Sequence, residues 1–545
     1  MVHCNDIFIG DKMVKENKSY QEELWNAADK LRAQSSLKTN EFSTPVLGLI
    51  FLKYADWRFE KALEDVPQTR GRSAVTLKDH IVASGALYIP EKARYKYLLN
   101  LPESENIAKA VNDAMSLIEN ENSLVLSGVL YKNYQRLGSS LLRDLLKKFN
   151  NIDISRIKGD AFGKIYEYFL GKFASAEGQR GGEFYTPTSL VRLIVEILKP
   201  IRGNVYDPAC GSGGMFVQSS EFIKRTQKDD PNELIRVYGQ EKVEETAKLC
   251  KMNLAVHGLE GKIVTANTME RDASLIPAGK DDKGQDIYTD TYGKMDFVMA
   301  NPPFNVSGVD KEKIKNDKRY ALGLPKVDNA NYLWIQCFYS ALSKTGRAGF
   351  VMPNSASDAR QSEQTIREKI IKANAVDVMV SVGSNMFHNV TLPCTLWFLD
   401  KGKKDTERKD KVLFLDVREI YTQVDRAHRE FTEEQIEFIT NIVKLYRGEK
   451  LCFDFDSKAK IKQYFPDMQY KDIKGLCKVA TIEEIEKQGW SLNSGRYVGV
   501  ADNTEEEYVF EDKLKELNVE LEKLNNQAHT LETNVALNVK ALLGA

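Results

Sequence analysis

Hydrophobic and polar positions fall into three regimes along the chain. From about Ser19 to Lys148 apolar residues recur three and four apart, as at Leu24, Ala28 and Leu31 and again at Val46, Leu47, Ile50, Phe51 and Tyr54. That spacing lines one face of a helix, and Ser43-Thr44-Pro45 before the second run reads as a helix start. A helical N-terminal domain is expected over residues 1–158. From about Gly159 to Leu451 short apolar runs alternate with amphipathic stretches, the pattern of a doubly wound α/β sheet. Strands are expected at Asn204–Asp207, Arg236–Gln240, Lys262–Ala266, Met295–Ala300, Ala348–Met352, Val376–Val382 and Thr395–Leu399. Helices fit at Gly213–Lys228, Lys242–His257, Tyr332–Ser343 and Asp358–Ala373. The last two strands are close enough to pair without a helical crossover, so the sheet is expected to be mostly parallel with an antiparallel edge.

The third regime begins near Glu505, where Leu514, Leu517, Leu521, Leu524, Ala528, Leu531 and Val535 alternate three and four apart. One such heptad seam cannot bury itself, so it calls for a partner helix. The expected division is 1–158 helical, 159–475 catalytic α/β, and 476–545 a C-terminal segment with the heptad helix. Two polar stretches, Asp281–Asp286 and Val306–Asp328, read as long surface loops, which near a site often grip substrate. Lys311, Lys313, Lys315, Lys318 and Arg319 in the second could touch phosphates, although a solvated charged loop is the plainer reading.

Composition narrows this picture. A chain of 545 residues, 42% hydrophobic, is ample for a buried core and too long for one ordinary domain. Lys and Arg number 77 against 78 Asp and Glu, so any nucleic acid must be gripped by a local patch or a partner rather than by overall charge. The seven cysteines show no C-x-x-C spacing and are odd in number, which argues against a zinc site or disulfide framework and for a reducing compartment. No metal is expected. No basic-then-apolar leader follows Met1 and no run reaches the ~18 apolar residues of a membrane span, so the expected location is cytoplasmic.

The chemistry sits at two strand ends. Asn204 to Asp207 is followed by Pro208-Ala209-Cys210-Gly211-Ser212-Gly213-Gly214, a strand, a glycine turn and a helix start. Glycines let backbone N–H groups approach a ligand closely at the carboxyl edge of such a sheet. A glycine turn alone is weak evidence, since dinucleotide enzymes share it. Here it follows an acidic strand end, Asp207, in place of a G-x-G-x-x-G run, which suits an amine-bearing ligand better than a pyrophosphate. Glu241 ends the next strand, where a carboxylate can accept both hydrogen bonds of a ribose diol. A solvated acid at a helix start is the competing reading of Glu241. Upstream, Gly182-Glu183-Phe184-Tyr185-Thr186-Pro187-Thr188 leads into a helix and by itself is only a cap.

The second strand end is Met295–Ala300 followed by Asn301-Pro302-Pro303-Phe304. Two prolines cannot continue a central strand, so the chain stops and presents Asn301 at the sheet edge. Methylation of an aromatic amine needs its delocalised lone pair released. The Asn301 side-chain oxygen and the Pro302 carbonyl can each accept an amine hydrogen and draw the nitrogen towards tetrahedral geometry. Phe304 can stack on a base rotated out of a duplex. No Cys lies in the tetrad, which disfavours the covalent route used for carbon methylation of cytosine. A plain proline-rich turn is the bland alternative.

Asp207–Phe216, Asn301–Phe304 and Gly182–Thr188 together resemble the motifs of N6-adenine DNA methyltransferases, specifically the modification subunit of type I restriction-modification systems, over nearly the whole chain. The resemblance implies a Rossmann-like sheet that binds S-adenosyl-L-methionine, with a helical N-terminal domain and a C-terminal helical tail. It implies that Glu183, Phe184, Tyr185, Thr186, Pro187 and Thr188, with Asp207, Ala209, Gly211, Ser212, Gly213 and Gly214, flank the methionine part of the cofactor. It further implies that Glu241 binds the ribose and that Asn301, Pro302, Pro303 and Phe304 hold the target adenine. For the residue beside the cofactor adenine the sequence offers Asn267, Thr268 and Asp272, of which Asp272 is taken as the candidate. Trp490–Gly499 and the heptad tail are similar to the family's C-terminal end, which packs on a DNA-specificity subunit. The implied partners are DNA, that specificity subunit, a second modification subunit and a restriction translocase. No second block of ~150 residues, an ordinary domain's size, follows the sheet, so target recognition is expected in trans. Transfer to a glutamine amide or a ribosomal RNA base, and a scaffold without turnover, are the competing readings; the large helical domain and the intact motifs weigh against them.

Overall fold

The computed structural model describes residues 39–66, 76–151, 161–177, 186–273, 275–280, 286–387, 391–425 and 428–500, with scattered positions at 25–33 and 514–532. Residues 1–498 form one unit and 499–545 another.

The N-terminal part is helical, built from Thr39–Glu64, Ile107–Glu121, Ser139–Asn150 and shorter helices between them. Phe42, Val46, Leu49 and Ile50 are fully buried in its core, as their helical spacing requires. The first of these helices begins at Thr39, ahead of the expected start at Ser43, and carries Pro45 inside it. The Pro45 carbonyl accepts a hydrogen bond from the buried Tyr134 hydroxyl, 3.1 Å away, which ties that early turn to the core. The helix Ala161–Glu177, expected to open the catalytic segment, instead packs Tyr166, Phe169 and Phe173 into this helical core. Met252 and Val256, from the helix Glu244–Val256 that follows the second strand, close the same cluster.

The central sheet has nine strands in the order β13-β10-β8-β9-β7-β6-β1-β2-β3. They are β1 (Gly203–Asp207), β2 (Ile235–Glu241), β3 (Gly261–Thr265), β6 (Met295–Ala300), β7 (Leu342–Pro353), β8 (Val376–Val382), β9 (Cys394–Asp400), β10 (Lys411–Asp416) and β13 (Cys477–Thr481). Two separate hairpins supply β4 (Ile276–Lys280) with β5 (Asp286–Thr289), and β11 (Thr422–Gln423) with β12 (Arg429–Glu430). All seven expected strands are present. The strand expected at the antiparallel edge, however, lies inside the sheet: β9 pairs antiparallel with both β7 and β8, and the antiparallel edge strand is β13. Every residue of β9 is buried, as a strand covered on both faces and both edges must be. The sheet also continues past residue 475, the expected end of the catalytic segment, because β13 pairs antiparallel with β10 along its edge.

From β1 the chain winds outward through β2 to β3, then returns to place β6 on the other side of β1. The two directions part between β1 and β6, and the carboxyl ends of those strands flank the crevice in which open α/β sheets bind ligands. Of the heptad seam, Leu514, Leu521 and Leu531 are 55–64% exposed and Ala528 is exposed; Leu517, Leu524 and Val535 lie outside the described residues. Among the described residues no helix is long and apolar enough to cross a membrane.

Candidate active site

The carboxyl ends of β2, β1 and β6 are neighbours; the register sets Asp207 level with Gly239 and Tyr206 level with Val298, so Glu241 and Asn301 each stand two residues further along, on either side of Asp207. Asp207 is 2% exposed, and its Oδ1 accepts a hydrogen bond from the Ala209 N–H at 2.9 Å, closing the first turn beyond the strand. Burial pushes its carboxyl well above the ordinary carboxylate range, and the neighbouring Glu241 adds to the rise. A positive ligand group brought beside it would restore the carboxylate.

Gly211 and Gly213 have φ of 52° and 85°, left-handed values that L side chains adopt at a cost. A Cβ on Gly213 would lie 2.8 Å from the Cys250 sulfur, whereas one on Gly211 or Gly214 would meet nothing within 4 Å among the described residues. Gly213 therefore serves packing, and the backbone at Gly211 and Gly214 faces open space. The turn is fixed from three directions: Asn253 Nδ2 donates to the Ser212 carbonyl (2.9 Å), Thr268 Oγ1 to the Pro208 carbonyl (2.6 Å), and Gly211 N–H to Glu241 Oε2 (3.0 Å). Gly214→Ala is expected to keep the melting temperature and weaken cofactor binding, while Gly213→Ala lowers the melting temperature. Calorimetry showing wild-type cofactor affinity for Gly214→Ala would remove it from the ligand cradle.

Glu241 Oε1 accepts from the Val243 N–H at 3.0 Å, so its carboxylate bridges the glycine turn and the start of the next helix. Each oxygen keeps a second lone pair for a ligand. After β3, Asn267 accepts from Met269 N–H (3.2 Å) and donates to Glu270 (2.9 Å). Asp272, the sequence candidate here, gives its Oδ2 to the Thr291 N–H (3.0 Å) and hydroxyl (2.8 Å). Burial raises its carboxyl above the usual range, against the lowering effect of Thr291. Asn267, two residues beyond β3, lies nearer the strand end than Asp272.

Asn301 follows β6 directly. Its Nδ2 donates to the Thr186 hydroxyl at 2.9 Å, while its Oδ1 is buried with no partner among the described residues. That bond joins the upstream segment to the tetrad across 115 positions of sequence. Pro187 caps the helix Thr188–Leu198, its carbonyl accepting from Leu190 and Val191 N–H at 3.0 and 3.1 Å. Glu183, Phe184 and Tyr185 lie outside the described residues. Pro302 is buried, Pro303 and Phe304 are half-buried, and Phe304 meets Phe387 edge to face with ring centroids 6.5 Å apart. Asn305, Asn329 and Asn331, which the sequence reading passed over, interlock just beyond the tetrad; the Asn-Ala-Asn run ahead of a helix was the available signal.

Most of the segment Val306–Asp328 is exposed, as expected of a charged surface loop, with a few side chains anchored beneath it. Ile314, Arg319 and Tyr320 are buried. Lys311 donates to the Lys326 and Val327 carbonyls, Lys315 pairs with Glu312, Lys318 with Asp290, and Arg319 with Asp317 and the Thr268 carbonyl. Phosphate gripping would have to break these bonds. Neutralising Lys313 and Lys315 is expected to leave the salt dependence of DNA binding unchanged, where loss of two phosphate contacts would reduce the log–log slope by about 1.8.

An acidic strand end before a glycine turn, a second acid on the neighbouring strand and an amide presented by two prolines meet at the carboxyl edge of this α/β sheet, an arrangement that suits a methyltransferase. Residues 157–506 match the family model described as N-6 DNA Methylase, and residues 20–149 that of the HsdM N-terminal domain. The chain is 36% identical over 542 residues to the type I restriction enzyme MjaIX methylase subunit of Methanocaldococcus jannaschii, covering 95% of this chain and 90% of that one. It is 35% identical to the HindI methylase subunit of Haemophilus influenzae, over 80% and 93% of the two chains. The crystal structure of a type I restriction-modification methyltransferase subunit from Streptococcus thermophilus shares the fold, with a TM-score of 0.68 at 22% identity over 88% and 99% of the chains. The chain belongs to the N-6 DNA methylase family, as a methylase subunit of the type I restriction-modification kind. Its cofactor is S-adenosyl-L-methionine, and the residues fit that group: open space before Gly211 and Gly214, and a buried Asp207 whose charged neighbour is another acid.

Proposed function

We propose that this chain methylates N6 of an adenine rotated out of duplex DNA, in the cytoplasm, with sequence choice supplied by a specificity subunit. The observation that carries the reading is the Asn301 amide. Its nitrogen is committed to Thr186 while its oxygen stays buried and unpartnered, a state that costs stability unless a donor arrives. An exocyclic amine is such a donor. S-adenosylmethionine, when bound, supplies an electrophilic methyl group on a positively charged sulfur. Asn301 Oδ1 and the Pro302 carbonyl would accept hydrogen bonds from the two N6 hydrogens and leave the nitrogen lone pair available to that methyl group; as the N–C bond forms the C–S bond breaks with its electrons staying on sulfur, and the methylated nitrogen loses one proton. Phe304 stacks on the base and, with the two prolines, keeps water from the reacting atoms. Asp207, the glycine turn, Glu241 and Thr186 to Thr188 would hold the cofactor.

The exposed heptad leucines support the partner reading, because a seam of that kind is buried only by another helix. The assembly proposed is this chain, a second copy, the specificity subunit and DNA, joined by a restriction translocase in the full complex. The test is transfer of a labelled methyl group to duplex DNA with and without the product of the neighbouring specificity gene. Label on adenine only with the partner supports the reading. Label with this chain alone removes the partner's role, and no label on DNA in either case removes DNA as the substrate.

A further inference from the structure

The tetrad that holds the target has one stiff side and one soft side. Pro302 and Pro303 have ring-fixed φ, so the backbone from β6 to Phe304 has little freedom of its own. The first position after the aromatic ring that can swing is Asn305, and it takes the left-handed conformation, φ 55°. Asparagine tolerates that region better than most residues, but tolerance alone does not hold a turn.

What holds it is an amide clamp. Asn305 N–H donates to Asn331 Oδ1 at 3.0 Å, and Asn331 Nδ2 donates back to Asn305 Oδ1 at 2.9 Å. Asn329 Nδ2 donates to the same Asn305 oxygen at 2.9 Å, while its own Oδ1 accepts from Asn331 N–H at 2.8 Å. The Ala330 N–H donates to the Val306 carbonyl at 2.9 Å, fastening the next residue as well. Asn331 is 3% exposed and opens the helix Asn331–Ala341, whose Leu333, Ile335 and Phe338 are fully buried against the sheet. The clamp is thus anchored to a rigid element, and through Asn305 it ends one bond from Phe304.

We infer that Asn331 is a positioning residue for the target base: by locking Asn305 left-handed it fixes the direction in which Phe304 presents its ring, although it touches neither base nor cofactor. This rests on the assignment of Phe304 to the target pocket. Removing the Asn331 side chain leaves Asn305 N–H and Oδ1 short of partners and lets the turn relax, with Phe304 moving relative to Asn301. Misplacement of a reacting group by about 1 Å can cost on the order of a hundredfold in rate.

The experiment uses the full chain assembled with its specificity partner, S-adenosylmethionine, and a duplex whose methylated adenine, once mapped, is replaced by 2-aminopurine. Stacking on an aromatic ring quenches this base, so its emission reports the Phe304 contact. Asn331→Ala is expected to lower kcat roughly ten- to a hundredfold, leave cofactor affinity unchanged, and raise the emission of the rotated base to the level given by Phe304→Ala. Adding Asn331→Ala to Phe304→Ala should raise it no further. If Asn331→Ala does not fold, Asn305→Gly carries the test at an exposed position: glycine accepts the same φ without both side-chain bonds, and a smaller change in the same direction is expected. Wild-type kcat and emission in a folded variant would overturn the inference, as would a rate loss accounted for by weaker cofactor binding. Failure of the wild-type complex to methylate adenine, or of the Phe304→Ala complex to brighten 2-aminopurine, would instead overturn the pocket assignment beneath it.

Discussion

Asn301→Ala is expected to bind S-adenosylmethionine like the wild type and to transfer methyl groups at least roughly 30-fold more slowly, about 2 kcal/mol of barrier. The structural loss on substitution is small, since among the described residues the side chain makes one hydrogen bond, to Thr186, and its oxygen has no partner to leave behind. The loss in the transition state is larger, because that oxygen is the acceptor preorganised for the amine hydrogen. Asn301→Asp tests the same point from the other side. A carboxylate still accepts the amine hydrogen, and the Thr186 hydroxyl can turn to donate, so measurable activity should persist. Single-turnover transfer with saturating cofactor, beside cofactor titration by calorimetry, separates the effects. Equal rates for wild type and Asn301→Ala would end the role assigned to Asn301.

Glu241→Ala should show the opposite split. Its carboxylate accepts from Gly211 and Val243 N–H, both at 3.0 Å, so removing it frees the glycine turn and, on the proposed reading, deletes the ribose contact together. Hydrogen bonds to a charged group are worth about 1.5–3 kcal/mol, which corresponds to roughly a 10- to 150-fold weaker cofactor. The contact exists before and during transfer, so kcat at saturating cofactor should stay near the wild-type value. Glu241→Gln should fall between, because its amide keeps one acceptor but turns a donor towards one of the two backbone N–H groups. Unchanged cofactor affinity in Glu241→Ala would take Glu241 out of the site.

The strand ends that carry chemistry were legible because they break local rules. Asp207 before glycines and Asn301 before two prolines interrupt apolar runs at the point where a strand must stop. The positions of the strands in the sheet were less so. The run Cys394–Asp400 announces burial on both faces, but periodicity says nothing about neighbours, and its short link to β8 suggested an edge hairpin where the structure inserts it beside β7. The helix Ala161–Glu177 carries Phe169 and Phe173, which suit either core; only tertiary packing assigns them to the N-terminal one. Thr186 and Asn301, or Asn305 and Asn331, meet through side-chain hydrogen bonds across 115 and 26 positions, and no local propensity encodes such pairs. In the charged stretch after the tetrad, the pairing of Lys318 was not legible because its counter-ion, Asp290, comes from another loop.

The interior position of β9 also sets an order of events during synthesis. The strands that shape the cofactor crevice, β1, β2, β3, β6 and β7, are complete by Pro353, while β9 begins at Cys394, roughly 40 residues later. At about 5–20 residues per second, the growing chain carries an almost finished catalytic half with the free edge of β7 uncovered for roughly 2–8 s. An unpaired, apolar strand edge is a template for pairing with another chain. The nascent protein thus passes through a stage at which crowding on one message favours misassembly, and insertion of β9 ends it by turning that edge into the middle of the sheet.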